Sequence, residues 1–281
     1  MNLKKLIRIF YILTMAGFIF LIYCHLESRW IKTKKINLTS RDIPESFAGK
    51  KIVFITDIHH GPFFSIERVQ KLVKRINNLK PDYILMGGDY VHREPKYIEP
   101  FFNELWKLEP NDGIYAVLGN HDHWEDADLT RQMMLRNGIK ICDNKSYWVK
   151  INNDSIKIGG VGDLWEDAQE LDSTIYDLKT TDFSILISHN PDYLEFIQKD
   201  LIDFTLSGHT HGGQMTFFGM WAPMLPSEYG QKYRYGLKQS DDMQSYISSG
   251  VGTITPPLRF FCRPEIVLIN LQNQIITTKD E

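Results

Sequence analysis

Cysteine is scarce in this chain: Cys24, Cys142 and Cys262 are the only three among 281 residues. An odd number at irregular spacing excludes a disulfide framework, although it barely discriminates compartments. None of the three lies in a polar cluster, so soft thiolate metal chemistry is excluded from the motifs described below. Low-complexity segments and internal repeats are absent as well, which removes disordered and solenoid architectures. The body also lacks any excess of positive charge. Residues 1–35 hold seven of the 32 basic residues but one of the 35 acidic ones, so the remainder has nine more acids than bases. Contact with nucleic-acid phosphates needs clustered Lys and Arg, and no nucleic-acid partner is expected.

One long hydrophobic run is present. From Leu6 to Leu26 the chain is almost wholly apolar. Roughly 20 such residues span a bilayer as a helix, and Arg8 is near enough to the end to snorkel. A cleaved signal peptide is the competing reading, but it needs a small-x-small site that Tyr23, Cys24, His25 and Leu26 do not supply. The expectation is an uncleaved single-pass anchor in the cell membrane, residues 1–28. Lys4, Lys5 and Arg8 precede the run, and Arg29, Lys32, Lys34 and Lys35 follow it. The positive-inside rule works by asymmetry and fixes no orientation here. Residues 29–49 read as a basic linker, whose charges either rest on anionic headgroups or are merely solvated.

The catalytic body is expected over 50–278, as alternating short apolar strands and amphipathic helices. Strand-like runs at 51–56, 83–86, 114–118, 183–187 and 204–206 each lead into a polar cluster. Helical spacing marks 65–78, 97–108 and 129–137, and 147–151 with 156–161 read as a hairpin. Ligands in α/β sheets collect at the carboxyl ends of strands, and all five clusters follow a strand in this way.

The clusters are Asp57-Ile58-His59, Gly87-Gly88-Asp89, Gly119-Asn120-His121-Asp122, Ser188-His189-Asn190 and Gly208-His209-Thr210-His211. Asp57 and His59, two apart on an extended segment, point the same way and can reach one cation. His209 and His211 repeat that spacing. Asp89 can bridge two cations, and Asn120 offers a neutral amide oxygen. Carboxylate, imidazole and amide ligands together suit two adjacent divalent ions acting on a phosphate ester.

In this order the motifs resemble the calcineurin-like metallophosphoesterase superfamily, whose pattern is D-x-H, G-D, G-N-H-D/E, H and G-H-x-H. The resemblance implies a four-layer α/β/β/α sandwich. It implies one metal held by Asp57, His59, Asp89 and His211, and a second held by Asp89, Asn120, His189 and His209. The ions would be Mn, Fe, Zn or Co, manganese first among them. By the same resemblance His121 contacts a phosphoryl oxygen and protonates the leaving group, while Asp122 orients it. Hydrolysis would follow from a metal-bridged hydroxide, because a water between two cations ionises near neutral pH.

Gly250-Val-Gly-Thr, Pro256-Pro-Leu-Arg259 and Arg263-Pro264-Glu265-Ile266 add a finer resemblance. They are similar to the membrane-associated subgroup of YkuE- and YaeI-type phosphoesterases and chlamydial-type UDP-2,3-diacylglucosamine pyrophosphatases. The bilayer anchor motivates a phosphodiester or pyrophosphate substrate in a lipid or cell-envelope precursor. A soluble nucleotide diester is the first alternative; a non-catalytic scaffold on the same fold, against which the full set of ligand positions and His121 argues, is the second. Arg259 and His123 are expected to face substrate, although an ion pair such as Arg263 with Glu265 explains the arginines equally well. His60 and His92 read as core or solvent-facing, with contact to substrate as the other option, and Asp163 as structural. The apolar run 217–226 reads as packed into the core, with contact to lipid as the other option.

Overall fold

α1 (Leu3–Glu27) is 25 residues long, and its apolar side chains, buried Cys24 in the last turn apart, are exposed. It is long and apolar enough to cross a membrane, a property that signal sequences share. The computed structural model that shows it describes residues 2–197, 201–239 and 243–274, so the expected domain end at 275–278 lies outside the described residues.

After α1 come β1 (Lys32–Ser40), β2 (Lys51–Ile55), α2 (Ile66–Asn78), β3 (Tyr83–Met86), α3 (Ile98–Leu105), β4 (Gly113–Ala116), α4 (Asn120–Arg136) and β5 (Lys140–Ile141). The second half runs β6 (Lys145–Ile151), β7 (Asp154–Gly160), α5 (Asp172–Ile175), β8 (Ser184–Ile187), β9 (Phe204–Ser207), β10 (Gly236–Gln239), β11 (Gln244–Ile247) and β12 (Glu265–Asn273). The strands form two six-stranded sheets, ordered β1-β12-β2-β3-β4-β5 and β10-β11-β9-β8-β7-β6.

Period-two side-chain alternation explains how the layers stack. In β2 and β3, Val53, Ile55, Ile84 and Met86 face α2, α3 and α4, packing against Val69, Leu72, Phe101 and Phe102. Their neighbours Ile52, Phe54, Tyr83 and Leu85 point the other way, into a core shared with Ile158, Ile185, Phe204 and Tyr246 of the second sheet. Both faces of these strands are covered, which is why they read as continuous apolar runs. The outer face of the second sheet packs Leu186 and Ile247 against Ile175, Tyr193 and Leu194. The result is the expected α/β/β/α order, with a thin outer layer in which α5 has four residues.

Two expectations change. Residues 32–40 are not a linker: β1 pairs in parallel along the whole of β12, with Ile36 and Leu38 buried. Two inward apolar residues among basic ones carry too weak an alternation to announce a strand. The helix expected from Leu129 begins nine residues earlier, at Asn120, with extended backbone at Asp126 (φ −174°). Asp126 Oδ1 accepts the Leu129 N–H at 2.9 Å, so the sequence pattern had located the second, freshly capped segment.

The parallel ladder β2-β3-β4 and the parallel pair β8-β9 fix where function collects. Their carboxyl ends deliver 57–59, 89, 120–122, 189 and 209–211.

Candidate metal centre

Five of the seven expected ligands sit in the left-handed region of backbone space: Asp57 (φ 52°), His59 (50°), Asp89 (57°), His209 (65°) and His211 (50°). For residues with a Cβ this conformation is costly and persists only where the surroundings impose it. Here they do. The loops interlock so closely that a Cβ on Gly208 would overlap Asp57 Oδ2 and Thr56 Oγ1, and one on Gly119 would overlap Asp89 Oδ1. Glycine is required at both positions.

The donor atoms converge. His59 Nε2 lies 3.0 Å from His211 Nε2, and His211 Nε2 lies 3.4 Å from Asp57 Oδ1. On the other side, His209 Nδ1 is 3.0 Å from Asn120 Oδ1 and 3.3 Å from His189 Nε2. Asp89 Oδ2 joins the halves, 3.4 Å from both His59 Nε2 and His189 Nε2. All seven side chains are buried.

Electrostatics leaves these groups ready to bind a cation. Burial, and then His189, pushes the His209 imidazole down to about 3; burial likewise holds His59 and His211 well below the usual range. They are neutral, with lone pairs free. Burial opposes charge on Asp89, but His189 and His59 outweigh it and keep the carboxyl ionised. The same pairing outweighs burial at His189 and raises it well above the ordinary imidazole value. Burial also raises Asp57 to about 7. A divalent cation would replace the His189 proton and compensate both carboxylates. His59 Nδ1 and His211 Nδ1 are buried without hydrogen-bond partners, while His189 Nδ1 donates to Gly87 O at 2.6 Å, aiming Nε2 inward. The donor set fits a first-row transition metal.

His121 stands at the rim. Its backbone N–H donates to Asp89 Oδ1 at 2.9 Å, and its half-buried ring lies 4.7 Å from the His59 ring. Asp122 does not reach the His121 ring as expected. Its carboxylate turns inward and accepts the N–H groups of Asp89 (2.7 Å), Tyr90 (2.9 Å) and Gly119 (2.9 Å). Facing three orphan donors is the stronger attraction, so Asp122 ties together the loops of Asp89, Tyr90 and Gly119 rather than the His121 ring.

Arg259 also departs from expectation. It is fully buried, and its terminal nitrogens donate to carbonyls of Ser249 (2.6 Å), Gly252 (2.6 Å), Cys262 (3.0 Å) and His211 (3.3 Å). Those acceptors occupy the fork that was to grip phosphate. Nor does Arg263 pair with Glu265; Lys32 does, at 3.4 Å, while Arg263 stacks 4.0 Å over Trp30. His123 sits half-buried beside Arg131, Asp163 and Asp167, outside the ligand cluster. Asp163 accepts the Trp165 N–H at 2.9 Å, a structural role. His60 bonds Phe64 O at 2.7 Å, also structural.

Two neighbours, Trp124 and Trp165, escaped the sequence reading, and His92 stands closer to the site than its reading as core or solvent-facing implied. His92 is buried with Nδ1 3.4 Å from His121 Nδ1, and burial and His121 push it down to about 4. Trp124 places its ring 4.6 Å from His121, and Trp165 lies edge-on 4.3 Å from His209. Trp124, three residues after His121 on α4, was discoverable from helical spacing. Trp165 arrives from a separate loop and gave no signal. The run 217–226 is not core: Phe218, Met220 and Met224 are 72%, 74% and 81% exposed.

Residues 50–213 match the model of the calcineurin-like phosphoesterase family. The chain is a calcineurin-like phosphoesterase. This metal-dependent family hydrolyses phosphoesters, in keeping with the donor set. The metallophosphoesterase YkuE of Bacillus subtilis is 31% identical over 89% of this phosphoesterase and 88% of its own length. The phosphodiesterase YaeI of Escherichia coli is 29% identical, covering 92% and 94%. A zebrafish transmembrane protein with a metallophosphoesterase domain is 26% identical, covering 86% of this chain and 57% of its own.

Proposed function

We propose that this phosphoesterase holds two divalent metal ions, manganese first among the candidates, and cleaves a phosphodiester or pyrophosphate in a lipid-linked or envelope-precursor substrate at the membrane. The observation that carries the metal count is Asp89 Oδ2, equally distant at 3.4 Å from an imidazole of each half-site. Asp57, His59, Asp89 and His211 would hold one ion, and Asp89, Asn120, His189 and His209 the other. Bound there, the ions supply a nucleophilic water of lowered pKa and charge stabilisation at phosphorus. The chain's own residues do the rest. His121, whose backbone N–H is held by Asp89 and whose ring is half open to solvent, would touch a phosphoryl oxygen and give its proton to the leaving group. Trp124 and Trp165, partly exposed and in ring contact with His121 and His209, would flank a bound substrate.

α1 serves as an uncleaved anchor. Its last turn is bonded into the body: Cys24 O accepts the Arg259 N–H at 3.1 Å, and the Glu27 carboxylate accepts the Cys262 N–H at 2.7 Å. Cleavage after this run would discard those contacts. The zebrafish relative is named a transmembrane protein and YaeI a phosphodiesterase, and each supports one half of this reading. The test is turnover by the detergent-solubilised full chain with Mn²⁺ on a UDP-linked acyl sugar, a glycerophospholipid and cyclic nucleotides. Faster turnover of an acylated substrate is expected. Much faster turnover of the soluble nucleotides overturns the lipid assignment.

A further inference from the structure

We infer that the body docks on the bilayer through a second contact besides α1: an aromatic loop together with a cationic cleft at the exit of α1 that takes anionic phospholipid headgroups. This rests on the reading of α1 as an anchor.

The apolar part is Phe217, Phe218, Met220, Trp221, Met224 and Phe261, each between 45% and 81% exposed. Five large apolar side chains on one short loop, with Phe261 beside them, mark a contact surface. The exposure is built in. Arg234 donates to Gly219 O at 2.7 Å, and the Gln231 amide bonds both N–H and C=O of Ala222, at 3.0 and 2.7 Å. The patch is continuous with α1: Phe218 lies 5.5 Å from Phe261, Phe261 lies 4.6 Å from Phe260, and Phe260 lies 4.8 Å from Phe20. A ring path thus leads from the membrane helix to the loop tip.

Where α1 enters the body there is a cleft of about 350 Å³ lined by Arg29, Trp30, Arg68, Lys71 and Arg75. Arg68 donates to Ser28 O, just past α1, at 3.2 Å, and Arg75 to Ile31 O at 2.8 Å. No salt bridge among the described residues engages Arg29, Arg68, Lys71 or Arg75; Glu67 is the acid that acts on Lys71 from the same helix. A cationic cleft on an otherwise acidic body, beside a bilayer-length helix, matches an anionic leaflet in sign and position. That choice favours lipid over a protein partner. The loop leaves the metal centre directly after His211 and Gln214, and the Pro226 carbonyl acts on His209. Docking would hold the phosphoesterase site at headgroup depth.

The native cysteines are buried, so Phe218→Cys can be labelled selectively with an environment-sensitive fluorophore, with Tyr176→Cys (79% exposed) as control. The full chain is reconstituted in nanodiscs of phosphatidylcholine, with or without phosphatidylglycerol. Blue-shifted emission and quenching by nitroxide lipid are expected at 218 and not at 176, both stronger with phosphatidylglycerol. Reversing the exposed Arg29 and Lys71 (R29E/K71E) should cut the phosphatidylglycerol gain by about tenfold. A water-like signal at 218 in discs that carry the chain overturns the docking face and leaves the anchor standing. Equal signals in both lipids overturn the headgroup cleft. A chain that does not co-elute with discs removes the anchor reading, and this inference with it.

Discussion

Two buried polar clusters lie back to back in this molecule, and they differ in how well their hydrogen bonds are met. Around Arg259 and Glu265 nearly everything is paired: the guanidinium's terminal nitrogens meet carbonyls, and Glu265 accepts Tyr235 and Tyr246 hydroxyls at 2.9 Å and faces Lys32. Around Asp89 the imidazoles instead face one another, on strained backbone, with lone pairs turned inward. Burial of charge is common to both. Satisfaction separates the two: a cluster whose groups are paired with donors and acceptors of its own holds the fold, and one whose ligand atoms converge on one another suits a cation.

The sharpest break of that comparison is Asp89→Asn. It removes the charge shared between half-sites, so metal content by mass spectrometry should fall and kcat/KM should drop about 10³-fold or more, with the fold retained by circular dichroism. Next, His121→Asn should lower kcat by about 10²–10⁴-fold while metal content stays at the parent level. Loss of metal in that variant would mean His121 is a ligand and not the acid.

The opposite cluster should answer in stability. Arg259→Met leaves its carbonyls unpaired, at about 1–3 kcal/mol for each buried group without a partner, so Tm should fall steeply. If Tm holds and only KM rises, Arg259 grips substrate after all. Asp122→Asn tests the seam between the clusters: an amide cannot accept three N–H groups as a carboxylate does, and metal affinity should weaken by about 10–100-fold. The smallest effect belongs to Asp203, at the far end of β9. Burial raises it to about 6, against hydrogen bonds from Ser184. The folded chain therefore keeps this proton longer than the unfolded one, so its stabilisation is complete below pH ~4 and is lost as pH rises to ~6. Asp203→Asn should flatten the Tm–pH profile in that window.

Much of this was legible in sequence because the physics was local. Fully covered strands read as apolar runs, α2 showed its buried stripe of Val69, Leu72, Val73 and Ile76, and the seven expected ligands followed strands whose parallel pairing brings their ends together. What stayed hidden was non-local. β1 is a strand only because β12, over 200 residues away, receives it. Asp122 is adjacent to His121 in sequence, yet its carboxylate serves three backbone donors. Arg259 resembled a phosphate clamp until the carbonyls of a neighbouring loop and of His211 closed over it.

The central claim is that Asp89 joins two cation sites. Anomalous X-ray diffraction from crystals of the full chain grown with Mn²⁺ measures this directly. Two peaks roughly 3.5–4 Å apart on either side of the Asp89 carboxylate are predicted. A single peak, or ions bound away from Asp89, would contradict the account.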